Sequence, residues 1–131
     1  MCWSNNILIP IVLKKPLRVY KIGTSTNLGN FISLYRNTMY LKYVTKPTIK
    51  INPEFVRLNP RIGFLNELWE YDRFDINEGY HSYLTKGMAE YRKGNDVIGI
   101  FIIPADATIY VNYKCKEVVS TDIEYLGLLE W

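Results

Sequence analysis

The 131-residue sequence predicts an α+β fold: a single domain over residues 1–131, built on a mostly antiparallel, bent sheet with one or two short helices. Three observations carry that expectation. Leu17-Arg-Val-Tyr-Lys-Ile22 alternates apolar and polar residues at period two, the mark of a half-buried strand. Val97–Ile103 is almost continuously apolar, as expected of a central strand covered on both faces. Thr85 and Gly94 bracket a short helical segment, roughly Lys86 to Lys93. The Thr85 hydroxyl can cap its start, and Gly94 can end it in the left-handed conformation.

The remaining elements follow in chain order. Ile7–Leu13 reads as a short strand, and Pro10, which lacks an N–H for a ladder, favours the sheet edge. In Leu17–Ile22, period two puts Leu17, Val19 and Lys21 on one face and Arg18, Tyr20 and Ile22 on the other. Gly23 to Asn30 is rich in Gly, Thr, Ser and Asn and reads as a loop. Phe31 to Val44 is ambiguous: Phe31, Ile32, Leu34 and Tyr35 suit a helical turn, while Tyr40, Leu41, Tyr43 and Val44 favour strand. Pro47, Pro53 and Pro60 cut the next stretch into short pieces, with Thr48–Ile51 one strand candidate and Phe64–Tyr71 either a strand, which is favoured, or a short amphipathic helix. Gly79–Tyr83 is a short strand, with Tyr80 and Ser82 on one face and His81 and Tyr83 on the other. Pro104 to Ala107 forms a turn, and Ile109–Tyr113, Glu117–Ser120 and Ile123–Leu129 complete the sheet.

Charge is unevenly divided. The formal total is +3, but residues 1–65 hold ten basic side chains and one acid, Glu54, for +9, whereas residues 66–131 hold six basic and twelve acidic, for −6. Such asymmetry points either to an anionic partner for the basic half or to two halves that lie against each other. The apolar stretch Ile7–Leu13 is far short of the roughly 20 residues of a membrane span. It also lacks a preceding basic residue and a following small-residue cleavage pattern, so no membrane association and a cytoplasmic location are expected. Cys2 and Cys115 are too few for a disulfide framework and have no metal-ligand spacing. Cys2 would become an N-terminal nucleophile only after loss of Met1. With one histidine and scattered acids, no metal site is expected, and no cofactor motif is present.

Three segments hold candidate ligand-binding residues. In Arg18–Ser25, the cations Arg18 and Lys21 flank Thr24 and Ser25, whose hydroxyls and backbone N–H groups would cradle a phosphate or carboxylate; the competing reading is a solvated turn. In Ser33–Arg36, Arg36 beside Tyr35 can stack on a base or fork onto a phosphate, or be an exposed arginine near packed aromatics. In Gly79–Tyr83, Tyr80 and Tyr83 offer ring surfaces, and any histidine chemistry must use His81. Ser82 points away from His81, which argues against a local Ser–His pair and leaves His81 as a packing residue in the competing reading. Basic residues interleaved with Tyr35, Tyr40 and Tyr43 are compatible with nucleic acid, although the acidic second half disfavours it.

The sequence VYK in an early strand, then SLYR, GYHSY, FIIPADATIYV and VVSTDI, resembles small uncharacterised proteins of bacterial genomes and phages. Those proteins carry no established activity to transfer. Together with the candidate residues above, the expectation is a small non-catalytic binding protein of phage or mobile-element type, holding an anionic ligand that is either a nucleotide-like molecule or an acidic protein surface. An anti-defence role fits the size and the family setting. Tyr20-Lys-Ile-Gly-Thr24 and Gly79-Tyr-His-Ser-Tyr83, followed by Ala89 and Tyr91, also resemble parts of the ADP-ribosyltransferase fold. The second resemblance implies an NAD-using enzyme in which Tyr80 stacks on nicotinamide and Glu117 or Glu124 stabilises an oxocarbenium ion. Lys21 stands where that family has a histidine. A third expectation is a homo-oligomer whose basic and acidic faces pair across subunits.

Overall fold

A computed structural model describes residues 3–5, 8–26, 28–34, 37–56, 73–94 and 96–129. The described residues are mostly antiparallel strand with one short helix. In order, the elements are β1 (Trp3–Asn5), β2 (Ile11–Val12), β3 (Leu17–Ser25), β4 (Phe31–Ser33), β5 (Met39–Tyr40), β6 (Glu54–Val56) and β7 (Arg73–Ile76). There follow β8 (Tyr80–Tyr83), α1 (Lys86–Arg92), β9 (Val97–Ile103), β10 (Thr108–Asn112), β11 (Glu117–Ser120) and β12 (Glu124–Leu128). Nine strands form the main sheet in the order β12-β9-β3-β8-β11-β10-β2, with β4 on β3 and β5 on β4; β1, β7 and β6 form a separate small sheet.

The strongly patterned segments behave as expected. β9 lies between β12 and β3 and buries residues on both faces, as its continuous apolar run requires. β3 pairs with it in register from Leu17↔Ile103 to Gly23↔Val97. Val19, Phe101, Ile103 and Tyr125 share one core cluster, within which Phe31 and Phe101 meet edge-on at 5.3 Å. Tyr20, Ile22, Tyr83 and Ile98 pack on the other face with Ala89 and Met88 of α1. The Met88 N–H donates to Thr85 Oγ1 at 3.2 Å, and Gly94 takes φ +58° just beyond the helix. β2 occupies the sheet edge next to Pro10.

Four expectations need correction. Gly23, Thr24 and Ser25 are not a loop: β3 continues through them and pairs with Ser33, Ile32 and Phe31. Gly23 is required by close approach, since a Cβ there would lie 2.0 Å from the Ile32 carbonyl oxygen and 2.7 Å from the Phe31 ring. The turn is confined to the tip, where Thr26 N–H donates to Asn30 O at 2.9 Å. Phe31–Ser33 is strand, not a helical turn, because its side chains alternate buried, half-buried, buried against β3 and β9. Thr48–Ile51 forms no strand but runs as an extended strap, and the Ile7–Leu13 strand shortens to β2. Phe64–Tyr71, Cys2 and Ile7 lie outside the described residues.

Candidate functional site

The site arises where β3 changes partner. One edge of β3 is zipped to β9 throughout. On the other edge it meets β8 only at Tyr20↔Tyr83, and β4 takes over from Gly23. Between those contacts, at Lys21 and Ile22, β8 and β4 diverge and the sheet forks. Two cavities adjoin the fork, and Lys21 and His81 line both.

The first cavity, about 420 Å3, is walled by Lys21, Tyr40, Lys46, Pro47, Tyr80 and His81, with Thr38, Ile49, Glu78 and Gly79. Its outer wall is the strap after β5, stitched to the segment leading into β12. Tyr43 N–H donates to Tyr125 O at 2.8 Å, Lys46 N–H to Ile123 O at 2.9 Å and Ile49 N–H to Thr121 O at 2.9 Å. Thr45 Oγ1 donates to Glu124 Oε1 at 3.0 Å. The Tyr80 hydroxyl donates across the cavity to the Pro47 carbonyl, so β8 clamps the strap from the opposite side.

Lys21 is the chemically unusual group. Period two places it on the Val19 face, so its side chain enters the core and keeps only 2% of its surface exposed. Its Nζ donates to the His81 carbonyl and sits 5.3 Å from the Tyr40 ring centroid and 5.8 Å from that of Phe101. No carboxylate among the described residues lies within ion-pair reach of it. Burial lowers the amine from its ordinary 10.5 to about 7. Lys46 Nζ stands 5.1 Å from the same Tyr40 ring. Two ammonium groups therefore address one aromatic ring, each attracted by its π-face. Burial, then the neighbouring Tyr80, pushes the Tyr40 hydroxyl upward, and burial followed by Asp122 does the same for Tyr80. Both phenols stay protonated at neutral pH and can donate hydrogen bonds.

The second cavity, about 270 Å3, lies on the α1 side and includes Ile22, Ser33, Leu34, Tyr83, Arg92 and Glu117. Glu117 on β11 stands directly across from Tyr83. Burial raises its carboxyl, and the Arg92 guanidinium lowers it.

Of the residues singled out by sequence, Lys21, Tyr80 and His81 converge on the first cavity, and Lys21, His81 and Tyr83 on the second. Arg18, Thr24 and Ser25 are exposed and line neither cavity; Arg18 projects from the opposite face of β3 to Lys21. The Gly-Thr-Ser cradle is not formed, because those residues sit in the β3–β4 ladder. Tyr35 and Arg36 lie outside the described residues. Sequence reasoning missed Lys46, and it read Tyr40 only as a strand or nucleic-acid residue. Their signal was the placement of Lys21 on an otherwise apolar strand face, which calls for aromatic or polar company from elsewhere. Glu124, the other acid considered, is engaged with Thr45 away from both cavities.

Among the described residues no cluster of three or more His, Cys, Asp or Glu could hold a metal ion, and no helix is long and apolar enough to cross a membrane. No family model matches the chain, and neither a curated protein nor a solved structure matches it at a significant level.

Proposed function

We propose that this chain is a small non-catalytic binding protein whose first cavity holds a small anionic molecule with a planar or apolar part, such as a mononucleotide. One observation carries the reading: Lys21 is a buried cation-forming group with no counter-ion among the described residues, set with Lys46 against the Tyr40 ring. A buried charge without a partner is costly, and an incoming anion supplies that partner. Lys46 and Lys21 provide charge, and Tyr40 provides a hydroxyl donor and ring surface. Tyr80, whose proton is held by the Pro47 carbonyl, provides ring surface, and a volume of about 420 Å3 falls in the range of small-molecule sites. The recess favours a small ligand over an acidic protein surface.

Thermal-shift measurements with mononucleotides, NAD and inorganic phosphate test this. A ligand that binds only the folded state stabilises it by about 2.7 kcal/mol at a hundredfold excess over Kd. The Tm should rise with at least one of these probes and lose that response in Lys46→Met. No shift with any of them at millimolar concentration overturns the reading in its nucleotide form.

One observation favours a second reading, an ADP-ribosyltransferase-like enzyme. Glu117 stands in a cavity opposite Tyr83 and shares that cavity with Lys21 and His81. Labelled NAD incubated with cell extract would then modify a target, and Glu117→Gln would abolish the labelling. Absence of transfer by the wild-type chain removes this alternative.

A further inference from the structure

We infer that Lys21 anchors its ligand covalently: its ε-amine condenses with the carbonyl carbon of a small 2-oxo acid held in the first cavity, forming an imine. This rests on the anion-site reading above and names the class of anion. The geometry supplies each requirement. The amine is buried at the junction of the two cavities, so it faces ligand space and not bulk water. Its one hydrogen bond among the described residues, to the His81 carbonyl, uses an N–H and leaves the nitrogen lone pair of the neutral amine available for attack. No carboxylate among the described residues holds it as an ammonium ion. Desolvation in aromatic surroundings, which brings the amine down to about 7, gives a substantial neutral fraction at physiological pH. Lys46, on the same ring as Lys21, is placed to hold the ligand's carboxylate while the adjacent carbonyl meets Lys21. Tyr40 and Tyr80 provide protonated hydroxyls on the cavity wall.

The step balances without an added reagent. The amine lone pair forms the C–N bond, and one amine proton moves to the carbonyl oxygen to give a carbinolamine. The remaining amine proton leaves with that hydroxyl as water, and the C=N bond closes. No oxidant or reductant takes part, and hydrolysis reverses it.

The probe is pyruvate, with cyanoborohydride to reduce the imine to a stable secondary amine. Intact mass should rise by one pyruvate less one oxygen atom. Peptide mapping should place the adduct on Lys21, on the order of tenfold above any other lysine, since burial favours its neutral amine. Lys21→Met should lose the adduct, and Lys46→Met should weaken trapping while leaving Lys21 as the residue modified. The wild-type map decides the matter even if a variant folds poorly. An adduct spread over surface lysines, or one unchanged in Lys21→Met, overturns the proposal. A Tm rise with pyruvate but no trapped adduct overturns the covalent step and leaves the anion site standing. Neither a Tm rise with any anion nor an adduct removes both.

Discussion

The two cavities flanking the fork share Lys21 and His81, yet they differ in electrostatic completeness. On the α1 side, Glu117 is buried but Arg92 lies near enough to offset that burial. On the strap side, Lys21 is more deeply buried, and its amine meets a backbone carbonyl and two aromatic rings, with no carboxylate within ion-pair reach among the described residues. Cation–π contacts and one neutral hydrogen bond each contribute about 1–2 kcal/mol, well below the cost of an unpaired buried charge. The difference teaches that the first cavity leaves its buried amine without a charged partner among the described residues, the deficit the proposed ligand would fill, whereas in the second Arg92 offsets part of the burial of Glu117.

The largest effect expected is from removing the source of that deficit. The folded chain binds the Lys21 proton more weakly than the unfolded chain, so between pH 7 and 10.5 the unfolded state holds more protons and stability rises with pH. From pH 7 to about 9.5 that rise is on the order of 3 kcal/mol. Above about 10 it is opposed, because Tyr40, Tyr80, Tyr83 and Tyr125 are all raised in the folded state and ionise first in the unfolded one. Lys21→Met should be more stable than the wild type at pH 7, by about the same amount, and lose most of the slope. Urea denaturation at pH 7 and 9.5 measures both; equal slopes in the two proteins would show that Lys21 is not the group that makes the first cavity incomplete. The next effect is on the fork itself. Gly23→Ala should cost about 2–3 kcal/mol, since its Cβ meets the Ile32 carbonyl, a backbone atom that cannot move without breaking the β3–β4 ladder. A neutral outcome would mean that β4 is not held tightly enough to define the cavities.

These substitutions also show what the sequence made legible. The helix and β9 could be read because their signals are local: a cap, a terminal glycine, a continuous apolar run. Gly23–Ser25 was misread because Gly, Thr and Ser favour turns locally, whereas their strand state depends on a partner, Phe31–Ser33, whose own pattern was ambiguous. The small β1-β7-β6 sheet was invisible, since strands of three or four residues from distant parts of the chain carry no periodicity of their own. Lys21 was legible as a cation on the Leu17–Val19 face, but each face of β3 carries one basic and two less polar residues, so alternation alone did not say which cation would be buried. The wall formed by Tyr40 and Lys46 depends on a strap bonded to residues such as Glu124, 79 positions from Thr45, and no local rule reports a contact of that range.

A smaller effect sharpens the comparison at the clamp. Tyr80→Phe removes the donor to the Pro47 carbonyl and should cost about 1–2 kcal/mol while keeping the ring. Ligand affinity of the first cavity should fall with it, because the strap carrying Lys46 is then held from β12 alone. Unchanged affinity would show that the strap is positioned by its bonds to residues 121–125 without help from β8.

The smallest effect probes the balanced side. Glu117 has a folded value raised above its unfolded one, so its contribution to stability is fully present below about pH 4.5 and is lost as pH rises through the folded value. Glu117→Gln should remove that dependence: the variant should be slightly more stable than wild type at pH 7, with the advantage vanishing on acidification toward pH 4. Arg92 keeps the gain small, since its guanidinium already favours the ionised carboxylate and loses that partner in the variant. If the gain at pH 7 instead rivals that of Lys21→Met, Arg92 compensates little, and both cavities are electrostatically incomplete. The strap side would then no longer stand out as the proposed ligand site, because on the α1 side Glu117 would equally call for a partner, a cationic one.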